Sequence, residues 1–475
     1  MKRLNLMVAT TVGTTLEGYD FFLFGACAML VFDKAFFSAN DPIVASLLAL
    51  GTFSAGFLAR PLGGILFGIA GDHYGRKRML VISVLMMGIG TFATGFLPTN
   101  ASASIFAPLA LVTLRIIQGI AFGGEATGAI LIVSESMPAE RRAFWTSFTM
   151  FAGPLANVLT SFVIWTLQAT YSLEGFVNGG WRIAFFISGF LVILGFWTRR
   201  RVEESPVFLE YAQNSAQVER APLKQALRYN YVEMLQAFFV KAAENTFLYI
   251  FSTFLLFLAT SYLKFPRQKA LIALLWASAF EVVVVLVSAH ISDRTGRRPV
   301  LLVGLVTAAA ASFGLFTLQP GASYSSLQLA VLCCLSCHGI ILGAMAAYMA
   351  ELFPTKTRYT ALSSSYQLAS VAGGSVAALI GTLLLQTTGS AVTVAFYASA
   401  VAIPALISVY LSRESRAIDF FGSERNETPD ISINMDPTAE SGAELRRQLL
   451  VARARTHRRE LSGQPARLHD AGRGL

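Results

Sequence analysis

The residues of this chain best suited to chemistry are charged side chains that lie inside long apolar stretches. Acidic and basic side chains both occur there, and polar neighbours accompany some of them. A charge near the centre of a hydrocarbon layer is costly unless it is paired or faces a cavity. Such side chains are therefore expected to bind a proton or a charged substrate, or to pair with one another. The candidate set is Glu17, Tyr19, Asp20, Arg60, Arg115, Gln118, Glu125, Lys241, Glu244, Asn245 and Glu281.

The elements that must position these side chains are membrane-spanning helices. Hydrophobic residues make up 54% of the 475 residues and charged residues only 14%, and long stretches nearly exclude charge. A soluble domain does not have this composition. Because a helix needs about 20 mostly apolar residues to span a bilayer, the sequence predicts an all-α integral membrane protein with twelve transmembrane helices. The predicted spans are 5–32, 43–70, 79–97, 103–137, 143–167, 182–199, 233–262, 269–290, 299–318, 325–352, 360–386 and 390–411.

The first apolar stretch could instead be a cleaved signal peptide, since it follows Lys2 and Arg3. A signal peptide has a short apolar region without acids, whereas Glu17 and Asp20 lie inside this stretch. The sequence therefore predicts a retained first helix. An even number of crossings places both termini on one side, where the loops are rich in Lys and Arg. The positive-inside rule then predicts that both termini are cytoplasmic.

Two motifs each occur twice, at matching positions in the two halves of the chain. An Asp-x-x-Gly-Arg motif follows the second and the eighth predicted spans, and a Glu-x-x-Pro-x-x-x-Arg motif closes the fourth and the tenth. Duplication in register predicts two pseudo-symmetric six-helix bundles. Glycine permits a tight reversal between helices, and the acid can cap a helix or pair with an arginine, so these loops are predicted to act in gating. The candidate gating residues are Gly71, Asp72, Gly75, Arg76, Lys77, Glu135, Arg142, Asp293, Arg294, Gly296, Arg297, Arg298, Glu351 and Arg358.

The predicted domains follow from the duplication and from the polar stretches that separate the apolar ones. They are an N-terminal bundle (1–199), a central cytoplasmic loop (200–232), a C-terminal bundle (233–411) and a basic cytoplasmic tail (412–475). The end of the tail fits a basic amphipathic helix on the inner leaflet, and a disordered, solvated tail fits it equally well.

Other motifs exclude several function classes. The chain has no GxxxxGK[ST], HExxH or GxSxG motif, so the sequence predicts neither ATP-driven transport nor an enzyme. Cys334-x-x-Cys337-His338 has the spacing of a haem attachment site, but it lies inside the tenth apolar span. His338 is interpreted as a hydrogen-bonded helix residue, with titration during transport as the second interpretation. We expect no cofactor, no metal and a proton gradient as the energy source.

These residues together resemble the metabolite:proton symporter branch of the major facilitator superfamily, over about residues 5–415. That branch includes shikimate, α-ketoglutarate, citrate and proline/betaine permeases, and residues 31–37 and 205–208 are most similar to the shikimate type. Gly18 departs from the pattern, because the family usually has an aromatic residue there. The segments that carry the resemblance are 13–22, 60–64, 115–125, 180–182, 204–208 and 351–360.

The resemblance implies alternating access, in which the two bundles rock about a central site, with proton symport of a small organic acid. It carries over Asp20, Arg60, Arg115 and Glu125 as the core of the site. It also implies a multi-pass protein of the bacterial inner membrane, monomeric, with a small molecule, a proton and the bilayer as partners and no nucleic acid. A proton-driven exporter or antiporter is the alternative, and a channel or membrane enzyme is a weaker one.

Asp20 and Arg115 form the sharpest hypothesis, since duplicated bundles would let them face one cavity from the first and fourth helices. An ionised Asp20 would hold Arg115, and its protonation would release the guanidinium for a substrate carboxylate. Lys241 and Glu244 fit a structural ion pair, because residues three apart share a helix face. Three further acids compete for the proton-carrying role, namely Glu17, Glu125 and Glu281.

Overall fold

The computed structural model describes residues 2–32, 35–37, 42–99, 103–200, 222–355, 357–416, 418 and 420. These described residues form one compact unit. The predictions for the tail beyond residue 420 and for most of the central loop fall outside the described residues. The side chains of Asp72 and Arg76 also lie outside them.

Twelve long helical segments follow one another in the described chain, and each overlaps one predicted span. The first six are α1 (Lys2–Cys27, continued by a π-helical turn, Ala28–Phe32), α2 (Pro42–Tyr74), α3 (Arg76–Thr94), α4 (Phe106–Ser136), α5 (Arg142–Met150 and Ala152–Gly175) and α6 (Trp181–Arg200). The last six are α7 (Tyr231–Tyr249, extended by short helical turns to Tyr262), α8 (Arg267–Thr295), α9 (Arg297–Phe316), α10 (Tyr324–Glu351), α11 (Arg358–Ser370 and Val376–Thr388) and α12 (Val392–Leu411).

The helices have the length and the surface expected of membrane spans. Eleven helices in the described residues are long and apolar enough to cross a bilayer. The remaining one, α1, carries Glu17 and Asp20 in its interior. Large apolar side chains such as Leu58, Phe190 and Phe396 are exposed on the helix surfaces, as expected where lipid covers them. The predicted all-α fold with twelve transmembrane helices is confirmed.

Helices α2 and α4 approach closely because glycines stand where they meet. A Cβ atom at Gly119 would lie 2.1 Å from the carbonyl oxygen of Gly56, and one at Gly123 would lie 2.3 Å from that of Arg60. Because no side chain fits at such distances, the Gly119-x-x-x-Gly123 spacing on α4 permits this close approach. The contact holds the segments that carry Arg60 and Arg115 against each other.

Glycine is required at the two equivalent turns of the repeated Asp-x-x-Gly-Arg motif. Gly75 precedes α3 with φ 95°, and Gly296 precedes α9 with φ 109°. Side chains disfavour this backbone region. The conformations explain why both copies of the motif have glycine at the helix reversal.

Candidate functional site

A central cavity of about 120 Å³ lies between the two halves of the chain. Its lining comes from α1, α2, α4 and α5 on one side and from α7, α10 and α11 on the other. Its lining includes four residues that carry or can take up a charge near neutral pH, namely Arg60, Lys241, Glu244 and His338. The cavity therefore has the position expected of a transporter site, between the repeats.

A larger cavity of about 370 Å³ shares Phe21 and Phe22 with the central one. Its polar lining consists of amide and hydroxyl groups such as those of Asn157, Thr160 and Thr260. No charged side chain belongs to this lining within the described chain. Of these two cavities, the central one is therefore the one that offers ionic partners to a charged ligand.

Arg60 on α2 lies in an aromatic enclosure at the central cavity. Its guanidinium carbon is 3.9 Å from the ring centroids of both Phe57 and Phe122, and 4.6 Å from that of Phe21. The side chain is buried, and it forms no ion pair with any carboxylate of the described residues. Arg60 thus presents an unneutralised, desolvated positive charge to the cavity.

Asp20 and Arg115 contact each other across α1 and α4. Arg115 Nη1 lies 3.4 Å from Asp20 Oδ2 and 3.4 Å from the amide oxygen of Gln118. Thr91 on α3 donates to the other Asp20 oxygen and accepts from Gln118 Nε2 at 3.1 Å. All four side chains are buried. Neither Asp20 nor Arg115 lines the central cavity, but Phe21, next in sequence to Asp20, contacts the guanidinium groups of both Arg115 and Arg60.

A second buried cluster joins α7, α8 and α10. Lys241 pairs with Glu244 one helical turn later, and its ammonium nitrogen lies 4.3 Å from the ring centroid of Tyr366. His338 Nε2 is 3.3 Å from a carboxylate oxygen of Glu244, and His338 Nδ1 is 2.5 Å from a carboxylate oxygen of Glu281. The structure therefore places four titratable groups in one chain of contacts.

The remaining candidates lie at different places. Tyr19 donates a hydrogen bond to the carbonyl oxygen of Ala184 at 2.9 Å. Asn245 lines the central cavity and donates to Ser370 at 3.1 Å. Glu125 accepts from Ser83 on α3, and Glu17 borders a separate small cavity together with Asp20. The structure thus gathers Arg60, Lys241, Glu244 and Asn245 at the central cavity, and it does not bring Tyr19, Glu17 or Glu125 there.

Sequence reasoning missed the aromatic lining and did not include His338 in the site. The rings of Phe21, Phe57, Phe122, Tyr249 and Tyr366 surround the cavity cations, but in a chain with 12% aromatic residues nothing in their spacing marks them. His338 drew notice only through its haem-like spacing. Its one available signal was that a histidine in an apolar helix requires polar partners.

The repeated Glu-x-x-Pro-x-x-x-Arg motifs pair crosswise at one end of the bundle, which we call the gate face. Arg142 Nη1 donates to Glu351 at 2.9 Å, and Arg358 Nη1 donates to Glu135 at 2.9 Å. Each arginine thus pairs with the glutamate of the other half. All four side chains are buried, so the two ion pairs connect the N-terminal and C-terminal halves directly.

Asp293 reinforces the gate face from the second copy of the other motif. It accepts hydrogen bonds from the backbone N–H groups of Ala143 at 3.0 Å and Phe144 at 2.8 Å, at the start of α5. Helix N-termini favour such a carboxylate. Arg297 binds both Asp293 (2.8 Å) and Glu351 (3.1 Å). Asp293 therefore links the C-terminal half to the N-terminal half, in addition to any role in the loop between α8 and α9.

Other predicted gating residues have smaller parts in this arrangement. A Cβ atom at Gly71 would lie 2.2 Å from the ring of Tyr359 on α11, so glycine allows α2 and α11 to touch. Arg298 donates to the carbonyl oxygen of Val409 at 3.1 Å. Arg294 is exposed.

The chain crosses the gate face again after α12, through a segment that we call the C-terminal strap (residues 412–416, 418 and 420). Glu414 accepts from the backbone N–H of Arg297 at 2.8 Å, and the carbonyl oxygen of Ile418 accepts from Arg142 at 2.9 Å. The ring of Phe420 lies between the guanidinium groups of Arg142 and Arg358, at 3.7 and 3.8 Å. The strap therefore contacts both crosswise pairs.

Twelve apolar helices in two halves, with buried charges between them and ion pairs closing one end, define a membrane transporter. The family model of the Major Facilitator Superfamily matches residues 12–342 and 272–461. The chain belongs to the major facilitator superfamily.

Its relatives are transporters of metabolites and not enzymes. It is 37% identical to the inner membrane metabolite transport protein YhjE of Escherichia coli K12, covering 87% of this chain and 95% of YhjE. It is 32% identical to the shikimate transporter of the same organism (85% and 93% covered) and 30% identical to its proline/betaine transporter (86% and 83%). These similarities confirm the resemblance to metabolite:proton symporters.

A solved structure has the same fold. The proton:xylose symporter XylE bound to 6-bromo-6-deoxy-D-glucose aligns with a TM-score of 0.72 at 17% identity, covering 88% of this chain and 98% of that one. The alignment supports the twelve-helix architecture.

Charge exchange tests the crosswise pairing at the gate face. Arg358→Glu places two buried acids together, and breaking a buried ion pair costs about 3–5 kcal/mol, so the gate face is expected to open. Adding Glu135→Arg restores opposite charges and is expected to close it again. The measurement is the distance between spin labels at Glu140→Cys and Thr295→Cys in a chain without its native cysteines. Lys224→Glu, which reverses an exposed charge, is the control and should leave the distance unchanged, whereas failure of the double variant to recover would contradict the pairing.

Two truncated chains distinguish the role of the C-terminal strap from that of the tail that follows it. A chain that ends at Ser423 keeps the strap and is expected to insert and transport normally, because no predicted span or repeat motif lies beyond it. A chain that ends at Arg416 loses Phe420, and a desolvated cation–π contact contributes about 2 kcal/mol, so the same labels should report a larger open population. Loss of uptake in the longer chain at normal membrane levels, or unchanged distances in the shorter one, would contradict this division.

Proposed function

We propose that this protein is a secondary active transporter that imports a small organic anion together with a proton by alternating access. The observation that carries the proposal is Arg60, whose guanidinium faces the central cavity without an ion-pair partner among the described carboxylates. A buried cation of this kind favours a ligand that brings the missing negative charge. The planar guanidinium binds both oxygens of a carboxylate.

Arg60 suits the role of anchor better than Arg115. Arg115 is already engaged by Asp20 and Gln118 and does not line the central cavity. The three rings around Arg60 exclude water and restrict its guanidinium, which strengthens its attraction for an anion. Lys241, on the opposite side of the cavity, adds a second cation.

Proton coupling is assigned to Asp20 and Arg115. Protonation of Asp20 weakens its hold on Arg115, and Phe21 contacts both that guanidinium and the guanidinium of Arg60. A movement of Arg115 would therefore shift the ring of Phe21, and with it the guanidinium of Arg60 that binds the anion. Proton and substrate binding become linked because each favours the same arrangement of this group.

The orientation in the membrane forms part of the proposal. The gate face, which carries the basic loops, is assigned to the cytoplasm, and both termini lie on that side. The bacterial inner membrane is the proposed location, supported by the name of the YhjE relative. The central cavity then opens to the cytoplasm only when the ion pairs of the gate face separate.

Uptake into proteoliposomes tests the function. The purified protein is supplied with radiolabelled shikimate, α-ketoglutarate, citrate, proline or glycine betaine under an imposed proton gradient, acid outside. We expect saturable accumulation of an organic acid above its external concentration, acidification of the lumen, and abolition of both by a protonophore. Accumulation only when the gradient is reversed would identify an exporter, and flux that does not saturate would identify a channel.

A further inference from the structure

We propose that Glu281, His338 and Glu244 hold a second exchangeable proton, which sets how strongly Lys241 is available to an anion in the central cavity. The three groups come from α8, α10 and α7, and none of them belongs to the Asp20–Arg115 pair. The presence of a proton at this cluster follows from the contacts of His338 alone, whatever the protein transports. Its consequence for the anion rests on the proposed function.

The geometry around the imidazole requires the extra proton. Both ring nitrogens of His338 face carboxylate oxygens, at 2.5 Å for Glu281 and 3.3 Å for Glu244. A neutral imidazole has one N–H and one lone pair, so it can donate to only one of two ionised carboxylates. For both contacts to be hydrogen bonds, either His338 is an imidazolium or one of the two acids is protonated.

Among the described residues, no cation other than Lys241 and the imidazole itself pairs with either carboxylate of the cluster. The cluster is buried, and Lys241 is engaged with Glu244. His338, Glu244 and Lys241 line the central cavity, so a proton can enter or leave through it, whereas Glu281 lies behind His338. The titratable and charged groups of the neighbouring elements that face this cluster are Lys241, Tyr249, Tyr366 and Arg60.

A charge count explains how this proton couples to an anion. With the proton present, the cations of Arg60, Lys241 and the His338 site exceed the carboxylates of Glu244 and Glu281 by one. A bound monoanion makes this sum zero, and loss of both proton and anion also makes it zero. Net charge buried in a membrane protein is costly, so the fully loaded and fully empty forms rearrange easily. Forms that carry only the proton or only the anion do not.

Lys241 links proton binding at the His338 cluster to anion binding in the central cavity. When the proton is present, Glu244 divides its negative charge between Lys241 and His338, so the ammonium group is less neutralised and attracts the anion more strongly. When the proton leaves, Glu244 is fully available to Lys241. Anion release is then favoured on the side where the proton has left.

The proton can be detected without any substrate. The purified protein at pH 7 is examined by nitrogen NMR of its five labelled histidines, which identifies an imidazolium, and by infrared spectroscopy, which identifies a protonated carboxylic acid. We expect one of these signals, and His338→Gln or Glu281→Gln should remove it. Ser288→Ala is the control, because Ser288 is buried on α8 and donates to the carbonyl oxygen of Gly339 without contacting the cluster. Absence of both signals, or their persistence in both variants, would overturn the proposal whatever the protein transports.

Coupling is measured in the same proteoliposomes with whichever acid of the uptake panel accumulates. Each coupled proton raises accumulation about tenfold per pH unit of gradient. His338→Gln is therefore expected to lower accumulation about tenfold per pH unit and to reduce the protons entering per anion by one, with Ser288→Ala unchanged. An unaltered ratio in His338→Gln would overturn the coupling role, even with normal transport by the wild-type protein, which would leave the proposed function standing.

Discussion

Arg60→Gln is expected to weaken anion binding by the purified protein severely. The substitution leaves the cavity with a neutral amide where a substrate carboxylate would meet a desolvated guanidinium. Losing one member of such a buried pair costs about 2–5 kcal/mol, which corresponds to about 30-fold to several thousand-fold weaker affinity. Isothermal titration calorimetry with the acid identified by uptake measures the change.

Arg60→Lys distinguishes charge from shape at the same position. Lysine keeps the positive charge but loses the planar fork and its stacking between the rings of Phe57 and Phe122, so an intermediate loss of about tenfold is expected. Lys269→Gln removes an exposed cation from the start of α8 and serves as the control. Wild-type affinity in Arg60→Gln would remove Arg60 from the site and return Arg115 and Lys241 as the candidates.

Asp20→Asn is expected to remove one of the two coupled protons without stopping transport. The amide cannot take up and release a proton, yet its oxygen can accept from Arg115 while its NH2 group donates to the Thr91 hydroxyl at the position of the other carboxylate oxygen. Substrate binding should then depend less on acid pH, and exchange of labelled for unlabelled substrate across the membrane should continue. Accumulation should fall about tenfold per pH unit of imposed gradient, because one coupled proton is lost.

The accumulation that remains in Asp20→Asn identifies the second proton. It should disappear in the double variant with His338→Gln, which can only equilibrate the substrate. Undiminished, proton-dependent accumulation in Asp20→Asn would exclude Asp20 as a carrier and leave Glu17, Glu125 or the His338 cluster. Parallel measurement of exchange separates such results from failure to fold.

The parts of the structure that depend on local sequence were predictable. Each crossing needs a long apolar run, so twelve runs indicated twelve helices. The Lys241–Glu244 pair could be predicted because three residues along a helix nearly complete a turn. These features are determined by residues that are near one another in the chain.

The partners that come from distant helices were not predictable. His338 meets carboxylates 57 and 94 residues away, and no spacing rule relates those positions. The rings around Arg60 come from three helices, and aromatic residues are common throughout the apolar stretches. The repeated gate motifs were recognised, but their sequence did not indicate that each arginine would pair with the glutamate of the other copy.

That crosswise pairing bears on the ancestry of the protein. In a homodimer with twofold symmetry, if an arginine of the first subunit contacts a glutamate of the second, the same arginine of the second subunit contacts the same glutamate of the first. Arg142 with Glu351 and Arg358 with Glu135 reproduce such a relation inside one chain. Two separate copies of an ancestral six-helix protein, each carrying one Glu-x-x-Pro-x-x-x-Arg motif, could have formed both contacts before any gene fusion. The gate would then be older than the single chain that contains it, and fusion would have allowed its two ion pairs to diverge independently.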